Sequence, residues 1–139
     1  MTLIVTDTGF APDDWPNGFH SLESAAAGAG CVECGIEIVP EDHIAAHRAE
    51  ILAAPMIRVA VTGFADGRGF TLARALRLMG YTGRLRAGAG LIADQYAMAR
   101  RAGFDEVEID AALATRQPEE HWLFRADWRA YDHQSRLRG

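Results

Sequence analysis

The chain contains no lysine. All 14 of its basic side chains are arginine, set against 19 acids, for a net charge of −5. The absence excludes lysine Schiff-base chemistry and the phosphate loop that ends in Gly-Lys. The acidic balance excludes general nucleic-acid binding, which draws its affinity from neutralised phosphates. Cysteine is scarce, two in 139 residues, too few for a disulfide framework. No apolar run approaches the roughly 20 residues of a membrane helix, so no membrane contact is expected. The first residues lack the basic and apolar regions of a secretory leader, and a cytoplasmic location is the expectation. A hydrophobic share of 49% and a charged share of 24% fit one ordinary domain with a real core.

Acids are also missing locally. Between Gly67 and Ala93 there is neither Asp nor Glu, yet Arg68, Arg74, Arg77, Arg84 and Arg86 all fall there. Such a basic island suits an oxyanion or an acidic partner, because guanidinium forks match phosphate, sulfate and carboxylate. Arg74 and Arg77 also fit a solvated helix face paired with acids elsewhere. Arg68 lies within a turn and reads as functional.

The chain is organised around that turn. A β-branched run with Ile57, Val59 and Val61 leads into Gly63, Asp66, Gly67, Arg68 and Gly69. A helical pattern follows from Phe70 to Met79, with Leu72, Leu76 and Met79 inward and Gly80 as its cap. Ahead of it, residues 35–39 alternate as a strand, and residues 41–54 read as a helix that buries Ile44, Ile51 and Leu52. Behind it come a strand over 84–87, a second glycine turn at Gly88 and Gly90, a helix over 91–102 and a strand over 104–109. The pattern predicts an α/β domain, a β-α-β-α-β-α-β parallel sheet with flanking helices, open or half-barrel-like. Residues 1–34 read as an irregular arm with at most a short edge strand at Leu3 to Val5, and Trp15 and Phe19 packing down. Residues 35–110 form the core and residues 111–139 a helical tail. The tail's Trp122, Phe124, Trp128 and Tyr131 either dock on the domain or make a dimer surface.

In a parallel sheet, the two glycine turns leave the same edge, where ligands bind. Free N–H groups at two helix starts, with Arg68, would form an anion pocket from Asp66, Gly67, Arg68, Gly69, Gly88, Gly90, Asp94 and Gln95. Asp66 and Asp94 orient Arg68 or serve as caps. Gly88, Gly90 and Ala93 also match a G-x-G-x-x-A dinucleotide fingerprint, with Glu108 twenty residues on, which opens NAD(P) or flavin binding as an alternative. No cofactor is otherwise evident, and no catalytic residue stands out. Cys31 and Cys34 form a C-x-x-C pair that precedes a strand, unlike a redox motif. His43, His47 and Glu50 share a helix face but lack the glutamate of the zinc-protease motif, so no metal site is expected.

From Asp66 through Arg74, then Gly80 to Gly83, Leu85 to Ala87, Asp94 with Gln95, and Arg101 to Asp105, the chain resembles a bacterial domain-of-unknown-function family, number nine-three-four. The likeness covers residues 35–109. It departs at Ala89 and Ala102, where the family commonly has Asp and Cys, and near Arg84, where it favours Glu. The resemblance implies an oxidoreductase-associated role in assimilatory sulfite reduction, with sulfite reductase as a partner. Three functional readings follow. The first is an accessory or electron-transfer-associated protein that binds an oxyanion or acidic partner at Asp66 to Arg68. The second is a nucleotide- or flavin-dependent oxidoreductase that uses Gly88 to Ala93. The third is a structural subunit that forms a homodimer through its tail or exposed sheet edges.

Overall fold

The computed structural model describes residues 2–28, 33–61 and 67–128. Among them, seven strands form one sheet in the order β2-β1-β7-β6-β5-β4-β3. The four strands expected from alternation are present as β4 (Gly35–Ile38), β5 (Met56–Val59), β6 (Arg84–Ala87) and β7 (Glu106–Asp110), all parallel. The helices between them are α2 (Arg48–Ala53), α3 (Arg68–Met79) and α4 (Tyr96–Ala102), so the α/β class is as the sequence predicts. A 3₁₀ turn precedes α2 and another precedes α4, which shortens both against expectation.

The arm is not irregular. It contributes β1 (Thr2–Thr6), β2 (Gly9–Pro12), β3 (Phe19–Ser21) and the short helix α1 (Leu22–Ala26). β1 is interior, antiparallel to both β2 and β7, with Leu3 opposite Ile109 and Val5 opposite Val107. That register carries the apolar rows of β7 into β1, which local pattern alone does not disclose. The tail adds α5 (Ala111–Arg116) and α6 (Glu119–Leu123).

From β3 to β7 each new strand is added on the same side of the last. Right-handed crossovers then place every connecting helix on one face. The core confirms it. Ile36, Ile38, Ile57, Val59, Leu85, Ala87, Val107 and Ile109 pack with Leu22, Ile51, Leu72, Leu76, Tyr96 and Trp122 in one cluster. Arg77 closes the helix layer, donating from Nε to the Gly103 carbonyl (2.9 Å), from Nη1 to the Gly83 carbonyl (2.8 Å) and from Nη2 to Asp105 (3.0 Å).

The opposite face carries charge. Glu37, Arg58, Arg86 and Glu106 lie in one row across β4 to β7. Arg58 reaches Glu37 (2.9 Å) and Glu108 (3.2 Å), and Arg86 reaches Glu106 (2.6 Å) and Glu108 (3.3 Å). Arg84 forks onto Glu106 at 2.6 and 3.0 Å. Arg86 is 0% exposed and Glu106 only 4%. Residues 13–18 cross above this network, and the Phe19 ring lies 4.1 Å from the Arg58 guanidinium carbon. Burial opposes charge on Arg86, yet Asp13 and Glu106 outweigh it and raise its pKa above the ordinary value.

Tyr81 tests the packing between the two layers. Its hydroxyl lies 3.1 Å from the Ala54 carbonyl and 3.0 Å from that of Arg84, and burial pushes its pKa from 10.0 to about 12. A raised pKa means that its contribution to stability is complete below pH 10 and is lost as pH rises towards 12. Urea unfolding at pH 9 and pH 11.5 should therefore show a larger alkaline loss for the wild type than for Tyr81→Phe; equal losses would refute this assignment.

Candidate functional site

The loops after β4, β5, β6 and β7 leave the same carboxyl edge. Asp66 lies outside the described residues. Gly67 is the N-cap of α3, and Arg68 is its first residue. Arg68 points to the loop after β4, its Nη1 3.2 Å from Glu41, with side chains 56% and 69% exposed respectively. Gly69 is buried where α3 meets the exit of β5; a Cβ there would lie 3.4 Å from a Val61 methyl.

The second turn closes on the same β5 exit. The Gly88 amide donates to the Val59 carbonyl (2.9 Å), and a Cβ on Gly88 would sit 3.2 Å from that oxygen. Gly90 has φ +143°, which no L side chain adopts without strain. The structure therefore brings Gly69 and Gly88 together. Asp94 is held elsewhere, 3.1 Å from Arg125. The N–H groups at this helix start are engaged: Ile92 donates to the Gln95 side chain (3.2 Å) and Ala93 to that of Gln117 (2.7 Å). The expected cradle of free amides is thus occupied by two glutamines. Gln117 and Arg125 were missed because they arrive from the tail, which no local motif links to Gly88.

The basic island disperses in space. Arg77 turns to Asp105, Arg84 and Arg86 turn to the helix-free face, and only Arg68 marks the carboxyl edge from that stretch, Arg74 being exposed on α3. Glu108, the acid of the dinucleotide fingerprint, is committed to Arg58 and Arg86 on the helix-free face. Beside the Gly90 turn, a cleft of about 420 Å³ opens against α5, bordered by Leu91, Ile109, Asp110, Leu113 and Arg116. Asp110 caps α5 by accepting the Leu113 amide (2.7 Å), a capping signal readable from Asp110 ahead of a helical run. Arg116 is exposed and makes no ion pair among the described residues.

The tail aromatics divide. Trp122 is buried edge-on to Tyr96, with ring centroids 6.2 Å apart, and Trp128 covers Arg100 and donates to Asp7 (3.3 Å). Phe124 is 72% exposed. Tyr131 and Cys31 lie outside the described residues, and no described cysteine is free. Among the described residues, His, Cys, Asp and Glu form no group of three or more placed for a metal ion. No described helix is long and apolar enough to cross a membrane.

Gln117 is the residue that ties tail to turn. Gln117→Ala leaves the Ala93 amide without its acceptor and should cost about 1–2 kcal/mol in urea unfolding. A change within about 0.3 kcal/mol would show that water replaces the bond at no cost.

A family model described as bacterial proteins of unknown function (DUF934) matches residues 35–137, and the chain belongs to that family. The match takes in the tail, which extends the likeness beyond the residues 35–109 identified from motifs. No curated protein and no solved structure matches the chain.

Proposed function

We propose that this member of the family is a cytoplasmic accessory, electron-transfer-associated protein of assimilatory sulfite reduction. It recognises an oxyanion or the acidic surface of a partner such as sulfite reductase at the carboxyl edge around Arg68. The observation that carries the reading is the Arg68–Glu41 pair itself. Both side chains are more than half exposed at 3.2 Å, and an exposed pair of this kind is worth only about 0–1 kcal/mol. The Glu41 contact by itself therefore costs an incoming anion little to displace. Arg116, exposed at the neighbouring cleft, adds a second cation on the same edge. Guanidinium and carboxylate carry no electron, so an electron-transfer role is exercised through a redox centre held by a partner.

The nucleotide or flavin reading is the weaker one. A pyrophosphate at Gly88 to Ala93 must first evict the Gln95 and Gln117 side chains from the amides it needs. The oligomerising reading is weakened because Trp122 and Trp128 are engaged within the chain.

The test compares Arg68→Ala with Arg74→Ala, a neighbouring exposed arginine on the same helix, in calorimetric titration with sulfite and in capture of sulfite reductase. Arg68→Ala should weaken one of the two by about tenfold or more, while Arg74→Ala leaves both unchanged. Wild-type binding by Arg68→Ala in both assays would overturn the proposal.

A further inference from the structure

The helix-free face is electrically balanced before residues 13–18 are considered. Three guanidiniums, Arg58, Arg84 and Arg86, meet three glutamates, Glu37, Glu106 and Glu108, and each of the six is bridged to at least one of the others. Residues 13–18 then add two more carboxylates. Asp13 lies 3.1 Å from Arg86, and Asp14 bonds Arg84. Burial works against the Asp13 carboxylate, but the Trp15 amide and Arg86 outweigh it and hold its pKa below the ordinary value. Arg84 likewise holds Asp14 low. The two aspartates are bound, yet the arginines do not depend on them for neutralisation.

The rest of the strap is weakly attached. It has no regular secondary structure. Its other polar bonds are mostly its own: the Trp15 amide donates to Asp13 (3.0 Å) and the Trp15 indole to the Gly18 carbonyl (2.8 Å). Its end is fixed where the Gly35 amide donates to Gly18 (2.9 Å). At its start, an open pocket of about 270 Å³ is bordered by Asp14, Arg84, Ile4, Ala11 and Pro12. A segment held by surplus charge beside an open pocket, with no regular secondary structure, is the easiest part of the face to exchange.

We propose that residues 13–18 are a displaceable cover, and that Arg84 and Arg86 form a docking site for an extended acidic segment of a partner protein, which Asp13 and Asp14 imitate. Charge complementarity at single donors selects the occupant: Asp13 accepts from Arg86 Nη2 (3.1 Å), while the glutamates take Nε and Nη1, and Asp14 accepts from Arg84 Nη2 beside Glu106. When the cover leaves, each arginine keeps its glutamate, so the open face is stable enough to be bound. The site is separate from Arg68 and stands or falls independently of the carboxyl edge.

The strap's own sequence supplies the probe. A fluorescein-labelled peptide of residues 11–18 is titrated by anisotropy against the full chain and against the Asp13→Asn/Asp14→Asn variant. The variant should bind it about tenfold more tightly than the wild type does, because its own cover no longer competes. A peptide with both aspartates changed to asparagine should not bind. Equal affinity for the two proteins, or no binding to a folded variant, would overturn the proposal. If circular dichroism shows the variant unfolded, hydrogen exchange of the wild type decides. In 1 M NaCl, where the screening length falls to about 3 Å, the Trp15 amide should exchange at least tenfold faster while α4 amides are unchanged. Unaltered protection of Trp15 would refute a displaceable cover.

Discussion

The buried pairing of Arg86 with Glu106 is the constraint on which the rest of this structure turns. A parallel sheet is normally covered on both faces by crossover helices. Here the strands from β3 to β7 advance in one direction, so the helices all fall on one side and the other must be closed differently. A wholly exposed guanidinium row would leave the sheet half solvated, and an apolar row would invite association. The chain instead crosses the face with two arginines flanked by glutamates and lays residues 13–18 and Phe19 over them. Two ions taken out of water are costly unless every donor is met, and Glu106 meets both Arg84 and Arg86 at 2.6 Å.

This arrangement separates the molecule into two regions of different chemistry. The carboxyl edge has short glycine turns, an exposed Arg68–Glu41 pair and a small cleft beside Arg116. The helix-free face holds Arg84 and Arg86 of the basic stretch, already matched to glutamates. Of the basic stretch, Arg68 lies at an edge and Arg84 and Arg86 are set into a sheet.

The four parallel strands and their helices were legible because each is a short alternating or periodic run punctuated by glycine or proline. A strand at Leu3 to Val5 was legible, but its interior place was not, because it is set by pairing with β7 more than a hundred residues away, and β2 and β3 carry no pattern of their own. The arginines between Gly67 and Ala93 read as one basic island, since sequence shows charge density and not direction. The period-two spacing of Arg84 with Arg86, and of Glu106 with Glu108, did encode a charged sheet face on adjacent strands. Gly69 and Gly88 both lie against the exit of β5. The role of Gln117 was hidden because a tail glutamine that caps a distant helix has no local signature.

The central claim, that paired charge closes the helix-free face, is tested most directly by a double-mutant cycle on Arg86 and Glu106, read by urea unfolding. Arg86→Met and Glu106→Leu should each cost about 3–5 kcal/mol, and the double variant should cost less than their sum by more than about 1 kcal/mol, since removing both ions leaves neither stranded. Additive losses within about 0.5 kcal/mol would contradict the account and would mean that the two side chains are held in place by their surroundings and not by each other.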